Sequence, residues 1–301
     1  MNLIIPPSSQ RTLILAIFLT VLGGGSLAVM DAISKELTNY FEVAQVLWSR
    51  YFFHAAIVIA YLLSFQPRSV FKSNKPKLQI QRSFLLFGAT VAMYTSLKYL
   101  PLADAAAVQF FSPVLVTILS SLFLGEKIGI RRYVAVITAF CGVIIIIQPG
   151  ADFRWAIILP VITAFLLAIF LIQTRKLSDY DNSYTTLFYS TLVGVICLIC
   201  VAPFFWREPN VTEFLLMGLQ GGLGAAGHLA IIKGFQYATA SFLSPFLYSQ
   251  LIVASVLSVM YLGDPLTIEI FIGAGLIVIS GIYIWYREVY LQSKAQDQTA
   301  S

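Results

Sequence analysis

Charge is scarce in this sequence. Asp, Glu, Lys and Arg make up 11% of its 301 residues, against about 25% in ordinary soluble domains, so a water-facing surface cannot be assembled from it. Two histidines are too few for a histidine metal cluster. The three cysteines, Cys141, Cys197 and Cys200, all sit in apolar runs and read as small core residues, not disulfides or metal ligands. Gly23-Gly24-Gly25 lies within an apolar run, with no strand–loop–helix context and no following Lys-Ser/Thr. It is not a phosphate loop, and no nucleotide-hydrolysis motif stands elsewhere. The first ten residues lack a basic leader, so Leu13–Met30 reads as a retained span and not a cleaved signal. Neither a cofactor, a resident metal nor a nucleic-acid partner is expected.

What the chain has instead is apolar length: 58% of it is hydrophobic. Runs of about 18 or more such residues are long enough to cross a bilayer. The expected spans are Leu13–Met30, Ala44–Phe65, Phe84–Leu100, Ala103–Leu124, Tyr133–Ile147, Trp155–Gln173, Ser183–Phe205, Phe214–Phe235, Ala238–Leu262 and Ile268–Tyr286. That is an all-α integral membrane protein of ten helices. The loop Gln66–Arg82 carries Arg68, Lys72, Lys75, Lys77 and Arg82. With the N-terminus inside, 13 loop and tail Lys/Arg fall on the cytoplasmic side, against Lys35, Lys98, Arg154 and Arg207 outside. The positive-inside rule therefore places both termini of this multi-pass membrane protein in the cytoplasm.

The chain is also built twice. Tyr99–Glu126 is echoed by Tyr237–Asp264 at an offset of 138, pairing Leu119 with Leu257 and Leu124-Gly125-Glu126 with Leu262-Gly263-Asp264. Ala16–Tyr40 is echoed by Ala156–Tyr180 at an offset of 140, with Lys35 opposite Arg175. Such periodicity is sought before fold is argued. Each unit holds five spans, an odd number, so the second enters from the opposite side. The expected division is a first repeat over 11–150, a second over 151–288 and a polar cytoplasmic tail over 289–301. Inverted repeats are typical of secondary transporters with a site near the midplane.

The Asp31-Ala32-Ile33-Ser34-Lys35 end of span one, Arg50 in Trp48-Ser49-Arg50-Tyr51-Phe52, the run Leu97–Ala105 and the Gly125-Glu126 stop carry a further signal. Together they resemble the EamA-type branch of the drug/metabolite transporter superfamily, over nearly the whole chain. The resemblance is nearest to bacterial proteins linked to uptake of S-adenosylmethionine or riboflavin. It implies ten helices in two inverted five-helix repeats, alternating access, and a small organic metabolite as cargo for a monomer or homodimer. A membrane-embedded enzyme or a channel is the alternative. The first would need converging nucleophiles, a metal or paired acids, and the second a charged ring or filter; the sequence offers none of these.

The candidate pathway residues are those that polar chemistry least expects in lipid. Asp31 and Lys35, four apart, share a helical face and read either as an interfacial ion pair or as a polar mouth for a charged metabolite. Arg50 lies about two turns inside span two, where a charge is costly unless it faces a cavity or a partner. Asp31 and Glu42 are its possible mates, and an anionic substrate group is the other. Tyr94 and Lys98 share a face of span three, and Gln109 and Ser112 precede Pro113 in span four. In span nine, Tyr248 and Gln250 point in nearly opposite directions, and Tyr248 is the one expected toward the lumen. Gln220, Gly224 and His228 fall on one face of span eight, and His228 needs a partner for its ring. Spans one, three, four, six, eight and nine are expected to surround the cavity, with five and ten peripheral.

Overall fold

The computed structural model describes residues 10–124, 130–147, 154–238, 243–264 and 266–300. Every regular element among these residues is helical. In chain order they are α1 (Gln10–Leu37), α2 (Val43–Phe65), α3 (Pro76–Leu97), α4 (Leu102–Gln109), α5 (Ser112–Leu124), α6 (Ile130–Ile147), α7 (Ile158–Leu177), α8 (Ser183–Val201), α9 (Val211–Tyr237), α10 (Tyr248–Met260) and α11 (Ile268–Ala300). Short 3-10 turns occupy Arg68–Phe71, Trp155–Ile157, Ala202–Phe205 and Ser244–Leu247. Among the described residues, six helical stretches are long and apolar enough to cross a membrane: Arg11–Leu37, Val43–Phe65, Trp155–Leu177, Ser183–Phe205, Val211–Tyr237 and Ile268–Tyr286. Only helices satisfy their own backbone in hydrocarbon without closing a barrel. Large apolar side chains such as Phe18, Ile137 and Ile279 are correspondingly exposed on the outside of the bundle.

The fourth expected span is two helices. It breaks at Phe110 and Phe111, just ahead of Pro113, whose ring nitrogen has no proton for the helical ladder. The ninth is interrupted in the same way by the 3-10 turn Ser244–Leu247 before α10. These two breaks meet, with the rings of Phe110 and Tyr248 5.7 Å apart.

Packing follows the small residues. Helix α1 lies along α9, α3 along α7, and α2 against both α8 and α9. A methyl group on Gly23 would stand 2.8 Å from the Gly227 carbonyl oxygen, and one on Gly227 3.0 Å from that of Gly23. The two backbones are in contact, which only glycine permits at that point. Helices α6 and α11 cross at Gly142 and Gly273 with equally close approach, 2.6 Å in each direction. At the helix starts, Asn182 accepts from the Thr185 amide at 2.8 Å, and Asn210 with Glu213 forms a reciprocal capping box.

Two expectations need correction, and one lies out of reach. Helix α3 begins at Pro76, so Arg82 is not in a loop: it is fully buried inside the bundle. Removing it leaves 12 of the 13 basic residues assigned to the cytoplasmic side. Helix α11 continues to Ala300 through the polar stretch left outside the last span, because Gln, Lys, Glu and Ala are good helix formers. Asp31 and Lys35 form no pair. Lys35 Nζ turns instead to the Leu97 and Leu100 carbonyls, at 2.6 and 3.1 Å, where a cation suits the negative end of α3. The Gly125-Glu126 stop lies outside the described residues.

Candidate functional site

A cavity of about 120 Å³ sits where the two helix breaks face α1, α2, α3, α7 and α9. Its polar wall is made by Asp31, Arg50, Thr90, Tyr94, Gln109, Ser112, Thr163, His228 and Gln250. Its apolar wall includes Met30, Met93, Phe110 and Phe170. Six residues expected on the pathway therefore share one cavity: Asp31, Arg50, Tyr94, Gln109, Ser112 and His228. The lining draws on all six spans expected there, and α2 adds Arg50. Among the described residues neither α6 nor α11 contributes to the lining.

Asp31 is buried and accepts a hydrogen bond from Gln250 Nε2 at 3.2 Å. Arg50 is buried too, and its partner is neither Asp31 nor Glu42. Its Nη2 donates to His228 Nε2 at 3.3 Å, which requires a neutral imidazole carrying its proton on Nδ1. Its guanidinium lies 5.1 Å from the Tyr94 ring centre and 5.6 Å from that of Tyr51, within cation–π range. Behind it the His54 and His228 rings stack at 5.7 Å. A polar chain holds Tyr94 in place: Ser34 donates to the Tyr94 hydroxyl at 2.7 Å, and Gln220 Nε2 donates to Ser34 at 2.9 Å. The ion pairs among the described residues are Lys98–Glu42, Arg154–Asp104 and Arg175–Asp179. Asp31 and Arg50 thus line one cavity with no salt bridge between them.

Three sequence candidates are elsewhere. Lys35 caps α3. Lys98 pairs with Glu42 at 2.8 Å on the surface, where both side chains reach solvent. Tyr248 packs on Phe110, and its hydroxyl is buried without a hydrogen-bond partner among the described residues. Gln250 takes the lumen position expected of Tyr248. The helix that carries both starts at Tyr248, directly after the 3-10 turn, so the face presented there is set by the turn. The offset of 138 pairs Gln250 with Ser112, a signal that would have chosen it.

Each end of the bundle is tied. At one end Lys35, the Lys98–Glu42 pair, Arg154 on Asp104 at 2.6 Å and the Ala103 amide, which donates to Ser258 at 3.2 Å, join separate helices. At the other, Asp181 accepts from Ser73, from the Asn74 amide at 2.8 Å and from Gln79 at 2.9 Å. Burial alone would raise the Asp181 pKa. The bonds from Ser73, the Asn74 backbone and Gln79 outweigh it and hold the carboxyl below its ordinary value. Among the described residues no cluster of three His, Cys, Asp or Glu could hold a metal ion.

A helical membrane bundle with a buried, charged, partly aromatic cavity beside two broken helices has the build of a small-molecule carrier. The EamA-like transporter family model matches residues 14–148 and 154–286, so this chain belongs to that family. It is a small-metabolite transporter of the inner membrane. The chain is 26% identical over 265 residues to an S-adenosylmethionine uptake transporter of Rickettsia bellii (strain RML369-C), covering 88% of this chain and 91% of that protein. It is 29% identical over 266 residues to a riboflavin transporter of Vibrio cholerae serotype O1, covering 87% and 89%. A solved crystal structure shares the fold with a TM-score of 0.62 at 18% identity, over 90% of this chain and 95% of that one.

Proposed function

We propose that this protein is a secondary active carrier of a zwitterionic organic metabolite, of the S-adenosylmethionine type, and not an enzyme or channel. In this reading Asp31 receives the cationic group and Arg50 the carboxylate, while Tyr94, Phe110 and Phe170 flank a planar moiety. The observation that carries it is the pair of opposite, buried charges lining one cavity without an ion pair between them. Both charges cost free energy to bury, and a ligand bearing the complementary pair offsets both at once. Curated relatives that transport S-adenosylmethionine support the substrate class.

The same reading takes the chain as ten spans in two inverted repeats, over 11–150 and 151–288, with both termini cytoplasmic. What supports it is the cavity lining. At the offset of 140, Leu27 and Leu167, Met30 and Phe170, and Asp31 and Leu171 all line the cavity. At 138, Thr90 and His228, Met93 and Ile231, Gln109 and Leu247, and Ser112 and Gln250 do so. Equivalent positions of two repeats converge this way when a pseudo-two-fold axis passes through the site. The helix contacts are exchanged as well: α1 on α9 answers α7 on α3, and α2 on α9 answers α8 on α3. A cavity of about 120 Å³ is small beside the ~300–1,000 Å³ of ligand pockets. Binding therefore loosens the ties at one end at a time, which is alternating access.

The test is binding of S-adenosylmethionine, its decarboxylated analogue and riboflavin to the purified protein. Saturable binding of S-adenosylmethionine with at least about tenfold weaker binding of the decarboxylated analogue supports the assignment. Equal affinity for the two, or binding of riboflavin alone, overturns it in favour of an aromatic-walled site for an uncharged ring.

A further inference from the structure

The cavity has a second arginine behind its wall. Arg82 is fully buried, and no carboxylate lies within ion-pair distance of it among the described residues. Its Nε donates to Thr174 Oγ1 at 2.6 Å, and its Nη1 donates to Ser190 Oγ at 2.8 Å and to the Thr186 carbonyl at 3.3 Å. The guanidinium lies 4.2 Å from the centre of the Phe170 ring, and Phe170 is a wall of the cavity. A buried guanidinium held only by neutral oxygens and a ring keeps its charge uncompensated, which burial penalises. Packing alone does not require a cation there.

The surroundings of Arg82 are those of Arg50 turned over. Thr174 and Ser190 stand 140 residues after Ser34 and Arg50, and Arg82 stands 138 before Gln220. On one side Gln220 bonds Ser34 at 2.9 Å beside Arg50; on the other Arg82 bonds Thr174 beside Ser190. Each side of the cavity thus has one arginine, carried by α2 on the first and by α3 on the second. The second cluster lies next to the Asp181 tie, since Gln79, one turn before Arg82 on α3, bonds both Asp181 and Thr186.

We propose that Arg82 is a second carboxylate-binding group, covered in this state by Phe170 and Asp181's tie, which receives the substrate's anionic group when the bundle opens on the Asp181 side. Arg50 and Arg82 then hold the same group in turn. The proposal rests on the alternating-access reading above, but its test needs no transported substrate. In a variant with Cys141, Cys197 and Cys200 replaced by alanine, Ser190→Cys places a thiol beside Arg82. Membrane vesicles of both orientations are treated with a sulfonate-bearing and a trimethylammonium-bearing methanethiosulfonate. The anionic reagent should label faster, by about tenfold or more, and only from the face that carries the Asp181 turn. Adding Arg82→Gln should abolish that preference while labelling continues. If the folded protein, judged by its thermal transition, is labelled from neither face, or shows no charge preference, or keeps its preference without Arg82, the proposal falls. Thr174→Cys gives a second position if Ser190→Cys does not fold. Labelling as expected without S-adenosylmethionine binding would remove the substrate assignment and leave this site standing. The converse would remove this site alone.

Discussion

Replacing Arg50 separates a binding role from a structural one. The side chain donates to His228 at 3.3 Å and lies over the rings of Tyr94 and Tyr51. Losing these contacts costs roughly 1–3 kcal/mol, and losing a buried charge gives some of that back. The net change in stability of Arg50→Ala is therefore modest. Its effect on substrate is not. A charge-assisted hydrogen bond to a carboxylate contributes about 1.5–3 kcal/mol, so Kd should rise roughly 10- to 150-fold. Arg50→Lys should recover only part, because an ammonium lacks the planar fork. Asp31 is bonded to Gln250 and forms no salt bridge with Arg50, though each feels the other's charge, so in a double-mutant cycle with Asp31→Asn the two should couple by less than the roughly 3 kcal/mol of a buried ion pair in the ligand-free protein. Thermal unfolding in detergent and S-adenosylmethionine titration give both numbers. Unchanged affinity in Arg50→Ala, or a stability coupling above about 3 kcal/mol, would refute the reasoning.

Asp181→Ala removes the acceptor shared by Ser73, Asn74 and Gln79 and should cost about 1.5–3 kcal/mol. Because its folded pKa is depressed, the wild-type contribution is present above the ordinary carboxylate value and is lost only as pH falls through the lower folded value. The gap in melting temperature between wild type and variant should hold from neutral pH to near pH 4 and close below it; a gap that widens on acidification contradicts the assignment. Tyr248→Phe should leave affinity unchanged and hold or raise the melting temperature, since the hydroxyl is buried with no partner among the described residues and Tyr248 does not line the cavity; loss of binding would return Tyr248 to the site. Gly23→Ala forces a methyl against the Gly227 carbonyl and should destabilise the α1–α9 pair by about 1–3 kcal/mol, read as a lowered melting temperature; an unchanged one would mean the helices separate freely there.

Much of the architecture is legible in the sequence, because apolar runs this long have few other uses and a charge among them needs a reason. That logic found Asp31, Arg50 and His228 in three different spans, and the structure brings them to one cavity. It failed where local pattern and tertiary direction diverge. Arg82 follows four basic residues of a loop and reads as surface; only the early start of α3 at Pro76 carries it inside. Lys35 shares a face with Asp31, but its long side chain reaches the end of another helix. Gln250 and Tyr248 could not be ranked by periodicity, because a 3-10 turn resets the helix phase just before them. The break at Phe110 and Phe111 was signalled by Pro113, while the contact it makes with Tyr248 is a fact of packing.

The most direct measurement of the carrier reading is counterflow. Proteoliposomes preloaded with unlabelled S-adenosylmethionine are diluted into a trace of the labelled compound, with wild-type protein and with Asp31→Asn. The account predicts transient, saturable accumulation of label above equilibrium in the wild type and its loss in Asp31→Asn, with the variant still folded. Label that equilibrates without overshoot, or overshoot that Asp31→Asn leaves intact, would contradict it.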